Sequence, residues 1–74
     1  MNSYPTEAEV LERYSGPAEI VRSYAGGRVL IVHFHEEPVR AWGFDVVCAG
    51  ERVSTTNTQG IAESVAPWFA ERGP

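Results

Sequence analysis

Lysine is absent from this chain, and all six of its basic residues are arginine. No local pattern demands a guanidinium at all six sites, so coding bias is the simplest cause. GC-rich codons favour Arg, Ala, Gly, Pro and Val, which points to a GC-rich bacterium or one of its phages. Positive charge is also outweighed: the formal net charge is −4. The arginines are scattered, and no basic stripe is available to displace phosphate counterions, which argues against a nucleic-acid partner. Cysteine occurs once, at Cys48. That excludes an intramolecular disulfide and a cysteine-based zinc site within one chain. Long apolar runs are missing, and the longest, Val29 to Val32, is far too short for a bilayer. The opening Met1-Asn2-Ser3-Tyr4-Pro5 lacks the basic and apolar regions of a signal peptide. A cytoplasmic location without membrane contact is therefore expected. Phosphate-binding glycine patterns are lacking too, since Gly26-Gly27 precedes a strand-like run rather than a helix.

What the chain does have is apolar bulk. Its 74 residues, one domain in length, are 43% hydrophobic and include two Trp, three Phe and three Tyr. Conformational entropy of about 1.5 kcal/mol per residue nearly cancels burial in so small a domain. A second copy or a partner covering further apolar surface would stabilise it.

The periodicities give an order of elements. Pro5-Thr6-Glu7-Ala8-Glu9 places a Thr N-cap three residues before a Glu, a capping box, and predicts a helix over about residues 6 to 15. Gly16-Pro17 ends it. The period then becomes two. Ile20 to Tyr24 and Val29 to His35 flank Gly26-Gly27, a hairpin signal. The turn pairs Val21 with Val32 and Ser23 with Leu30, and puts Ile20, Tyr24, Val29, Ile31 and His33 on the other face. A third strand runs from about Arg40 to Cys48, with Trp42, Phe44 and Val46 on one side. Ala49-Gly50 turns the chain into a fourth strand, Arg52 to Thr55, pairing Val46 with Val53 and Phe44 with Thr55. Pro38 marks the turn between strands two and three. Its length leaves open whether Trp42 shares a face with Phe34 or with His33, because one residue of slip reverses every side chain. The last helix starts near Asn57 or Thr58, with Ile61, Val65, Trp68 and Phe69 as its apolar stripe. Pro67 predicts a kink or two short helices. The expected fold is α+β: a small antiparallel four-stranded meander with an N-terminal helix and a Pro-kinked C-terminal helix, α-β-β-β-β-α.

Both sheet faces read as apolar, whereas a half-solvated antiparallel sheet alternates more cleanly. The C-terminal helix can cover one face. The other is left to the N-terminal helix, a second copy or a partner. The candidate contact surface comprises Ile20, Tyr24, Val29 and Ile31, with Glu36 and Glu37 as an acidic rim. Glu7, Glu9, Glu12, Glu19 and Glu51 add to an acidic surface suited to a basic protein partner.

The sharpest chemical pattern is His33-Phe34-His35-Glu36-Glu37. Strand residues two apart point the same way, so His33, His35 and Glu37 would offer two imidazoles and a carboxylate to a divalent metal. Asp45 on the next strand is a candidate fourth ligand. Gly27 and the His33-x-His35 pair resemble the first half of a cupin motif. The Glu expected afterwards is missing where Val39 and Arg40 stand, and the chain is too short for that barrel. Without a firm third ligand, two half-buried strand histidines are the plainer reading. Cys48 has no basic neighbour in sequence and reads as a buried thiol. The polar run Ser54 to Thr58 is explained by strand ending and helix capping. Trp42, Phe44, Trp68 and Phe69 read as core rather than as a stacking platform for bases.

The sequence thus points to a non-enzymatic interaction module that binds a protein partner or itself, such as an inhibitor, immunity or accessory protein. A metal-binding protein and a nucleic-acid binder are its rivals.

Overall fold

In the computed structural model, residues 4–36 and 41–72 are described. The elements follow in the order α1 (Glu7–Leu11), β1 (Ala18–Tyr24), β2 (Val29–Glu36), β3 (Ala41–Cys48), β4 (Glu51–Thr56) and α2 (Gln59–Arg72), with a short 3-10 turn, Ala25–Gly27, between β1 and β2. The four strands form one antiparallel sheet in sequence order, so the α+β meander expected from the periodicities is what the chain adopts.

Helix α1 starts as its sequence dictates. The Thr6 hydroxyl accepts from the Glu9 amide, and the Glu9 carboxylate accepts from the Thr6 amide, so the box is closed in both directions. It is shorter than predicted, five residues long. The Arg13 and Tyr14 amides donate to carbonyls only three residues back, those of Val10 and Leu11, and this tighter winding ends the α-helix. Gly16 then passes so close to β2 that a Cβ there would overlap the His35 carbonyl oxygen.

The β1–β2 hairpin has a four-residue loop between the paired Tyr24 and Val29, with Ala25, Gly26 and Gly27 all at positive φ. Ser23 pairs with Leu30 as expected. Val32, however, pairs with Ile20 rather than Val21, because Val21 is an unpaired bulge residue. The bulge exchanges two side chains between faces. Ile20 packs beside Leu30 and Val32, and Val21 packs beside Val29 and Ile31. The β3–β4 hairpin turns through Ala49 (φ 52°) and Gly50 (φ 88°), two positive-φ residues as a primed two-residue turn requires. A second bulge, at Val53, moves the partners of Val46 and Phe44 to Ser54 and Thr56 instead of Val53 and Thr55. Between β2 and β3 the open question is resolved: His33 pairs with Phe44 and His35 with Trp42, so Trp42 shares a face with the histidines.

Two cores result, one per face. On one side Val29, Ile31 and Val46 pack beneath Ala62 and Ala66 of α2, with Val65, Phe69 and Ala70 alongside. On the other, Leu30, Val32, Phe34 and Val47 pack beneath Val10 and Tyr14, with Leu11 alongside. The N-terminal segment is therefore the cover of the second face. Helix α2 is rotated from its predicted orientation. Its inward positions are Ala62, Val65, Ala66 and Phe69, whereas Ile61 and Trp68 are about half exposed, at 50% and 52%. Alanine at two inward positions removes the bulk that would hold the helix off the sheet. Helix α2 also continues through Pro67 as a single element rather than splitting in two. Residues on both sides of the proline pack on the same sheet face, which holds the two halves together.

Candidate functional site

Sequence alternation puts one carboxylate, Asp45, in the middle of the apolar run of β3, and the fold buries it completely. Burying a bare charge is prohibitive, so its partners decide whether it is reactive or structural. Tyr14 donates its hydroxyl to one carboxylate oxygen at 2.6 Å, and Thr55 donates to the other at 2.6 Å. The Arg52 Nε sits on the same oxygen as Tyr14. Above it, the Arg52 guanidinium lies 4.9 Å from the Tyr14 ring centre and 5.2 Å from that of Phe34, and a second carboxylate, Glu36, stands 3.8 Å away. Burial, reinforced by the Asp45 hydrogen bond and negative charge, raises the Tyr14 phenol well above its ordinary value, against a smaller opposing effect of Arg52. Tyr14 therefore stays a proton donor to Asp45. Among the described residues no buried side-chain polar atom lacks a partner. The cluster is a filled clasp that ties the segment after α1 to β3 and β4.

The opposite face carries a different group. His33, His35, Trp42 and Phe44 come from the facing halves of β2 and β3, and the sheet sets their rings in two neighbouring stacks. His33 stacks on Phe44 with ring centres 4.5 Å apart and planes 13° apart. His35 stacks on Trp42 at 6.4 Å and 20°. The two imidazoles meet edge to face at 6.0 Å. These rows extend past the strand residues buried beneath α2. Trp42 is 53% exposed and His35 is exposed, with His33 and Phe44 half-buried. Glu19 pairs directly with His33 across β1 and β2, its carboxylate 3.8 Å from His33 Nδ1. A shallow cleft runs along Pro17, Ala18, Glu19, His33, Phe34 and His35.

Four of the six residues predicted as contacts lie in the two cores, and one of the four predicted metal ligands, Asp45, lies off the face of the histidines. Val29 and Ile31 have no accessible surface, because α2 lies on them, and no partner reaches them. Tyr24 is half-buried in the same core, and Ile20 is carried to the other face by the Val21 bulge. Glu36 is half-buried beside Arg52. Glu37 lies outside the described residues. Of the predicted metal ligands, His33 and His35 do share a face, but Asp45 points to the other side of the sheet, opposite Val32 and bound by Tyr14, Thr55 and Arg52. Among the described residues, no three His, Cys, Asp or Glu side chains form a group able to hold a metal ion. Cys48 is half-buried and does have a basic neighbour in space: Arg28 Nη1 lies 3.6 Å from its sulfur, while Arg28 Nη2 donates to the Ala70 carbonyl near the end of α2. The ring shelf was half legible in sequence, since it needed only the β2–β3 register. The Asp45 clasp was not, because its donors, Tyr14, Arg52 and Thr55, are brought together only by the seating of the N-terminal segment and the register of β4.

No protein-family model, curated protein or solved structure matches this chain. Among the described residues no helix is long and apolar enough to cross a membrane.

Proposed function

We propose that this chain is a small non-enzymatic interaction module of the cytoplasm of a GC-rich bacterium or its phage, and that it binds a protein partner through the shelf of His33, His35, Trp42 and Phe44. The observation that carries the reading is the half-exposed Trp42 stacked on His35 beside a second ring pair. A single exposed apolar residue needs no explanation, but a contiguous group of rings does. Tryptophan and tyrosine supply large contact area at low entropy cost and dominate binding hot spots. Strands β2 and β3 hold the rings rigidly, so little ordering remains to be done on binding. The sheet edges serve poorly for this purpose. Both edge strands carry a bulge, at Val21 and at Val53, and bulges discourage edge-to-edge pairing.

Tagged wild-type protein, a Trp42→Ala variant and a Trp68→Ala control should be used to capture partners from a lysate of the source cells. The expected result is a discrete partner retained by wild type and by Trp68→Ala, and weakened about tenfold or more by Trp42→Ala. A partner held equally by all three proteins, or no partner at all, would refute the shelf as the binding surface.

A further inference from the structure

The shelf is not purely apolar. The Glu19 side chain, 70% exposed, stands at its β1 side, within 3.8 Å of His33 Nδ1. The cleft is thus lined by two imidazoles set edge to face, and its wall is a carboxylate, all reached by solvent. Few side chains use both features. A guanidinium does, because it is planar, stacks on rings and presents a fork of N–H donors to a carboxylate. An ammonium reaches the carboxylate but has no flat face. The protein uses this combination within itself. Arg52 binds Asp45 while lying over the Tyr14 and Phe34 rings, and Arg72 lies 4.3 Å from the ring centre of Trp68, the other half-exposed indole. Among the described residues no arginine lies over Trp42 or Phe44. The net charge of −4 favours a basic protein segment and disfavours phosphate-bearing chains.

Resting on the reading of the shelf as the docking surface, we propose that the cleft of Pro17, Glu19, His33 and His35 takes an arginine side chain of the partner protein. The guanidinium is held by the Glu19 carboxylate and lies on the His33 ring beside the edge of His35, and Trp42 packs on the residues next to it.

Nuclear magnetic resonance of the full chain tests this without knowledge of the partner. The probes are the blocked peptide acetyl-Gly-Arg-Gly-Arg-Gly-amide, its lysine counterpart, and oligothymidylate. The expected result is saturable shifts of the His33 and His35 ring protons and the Trp42 indole N–H, with the arginine peptide binding at least about threefold more tightly than the lysine peptide. Glu19→Gln should weaken the arginine peptide about fivefold and leave the fold unchanged. Equal binding of both peptides, or binding of oligothymidylate alone, overturns the proposal. Binding that emerges only in Arg40→Ala overturns it too, since the cleft then serves an arginine of the chain itself. If no peptide binds while capture still depends on Trp42, the arginine assignment falls and the docking surface stands. If capture fails as well, both fall.

Discussion

Asp45 is the residue on which the two halves of the chain depend. A fully buried carboxylate survives only when both oxygens have donors, and here the donors come from the turn after α1, from β4 and again from β4. Removing the Tyr14 hydroxyl by Tyr14→Phe keeps the ring against Phe34 but leaves one carboxylate oxygen short of a donor. The expected loss is about 1–3 kcal/mol, read from chemical denaturation. A loss below about 0.5 kcal/mol would show that the hydroxyl contributes little. The same bond sets an alkaline limit. The folded state raises the Tyr14 phenol above its unfolded value, first through burial and then through Asp45. The folded state thus holds that proton more tightly, so its stabilising contribution is complete below the unfolded value near 10 and is lost as the pH rises from there. Denaturation midpoints should therefore fall between about pH 10 and 12 in wild type. The Tyr14→Phe protein, which has no phenol at this position, should show a shallower decline. Parallel declines would remove Tyr14 as the cause.

At the scale of elements, the sequence was legible wherever the physics is local. The Thr6 and Glu9 capping box, the strand order, the two hairpins and the cap at Thr58, whose hydroxyl accepts from the Ile61 amide, all follow from neighbours a few residues apart. Misplaced features trace to two bulges and one rotation. Neither Val21 nor Val53 announces itself as a bulge, because valine is an ordinary strand residue and the extra residue is set by pairing with the next strand. The rotation of α2 arises because its sequence offers two stripes. One runs through Ile61, Val65 and Trp68, and the other through Ala62, Val65, Ala66 and Phe69. The smaller stripe won, since alanine permits a close approach to a flat layer of Val29, Ile31 and Val46. The candidate site followed the same logic: His33 and His35 were legible on one face, while Asp45 was assigned to it only for lack of the register. Both hairpin loops carry local strain, at Ala25 and at Ala49. Ala49 adopts φ 52° in the β3–β4 turn, where an L residue with a Cβ is disfavoured. The primed turn prefers Asn before Gly, so Ala49→Asn should stabilise the protein by about 0.5–1 kcal/mol. Thermal unfolding of the variant measures this, and an unchanged or lower midpoint would mean that the Ala49 side chain makes a contact worth more than the relief.

For the whole molecule, the decisive feature is that each sheet face has one cover, and the two covers are unequal. Helix α2 is 14 residues long, while α1 has five. The smaller cover depends on few attachments: Val10 and Tyr14 in the core, the Tyr14 bond to Asp45, and an Arg13 bond to the Gly50 carbonyl at 2.8 Å. Global stability for a chain of this length is on the order of 4–11 kcal/mol. A carboxylate placed at Val10, which is 3% exposed, costs about 3 kcal/mol or more. That is enough to unseat α1 without necessarily dissolving the sheet, whose other core lies wholly beneath α2. Val10→Asp should therefore retain strand and helix signals in far-ultraviolet circular dichroism. It should also bind 1-anilinonaphthalene-8-sulfonate, as Leu30, Val32, Phe34 and Val47 lose their cover. Light scattering should then report self-association of the variant, because a bared apolar sheet face is a contact surface. The Trp42 shelf lies on the opposite side, so arginine-peptide shifts at Trp42 should survive in the variant. A variant with no dye binding and an unchanged mass would show that the second face closes without α1. Loss of all secondary structure would show that the two faces fold only as one unit.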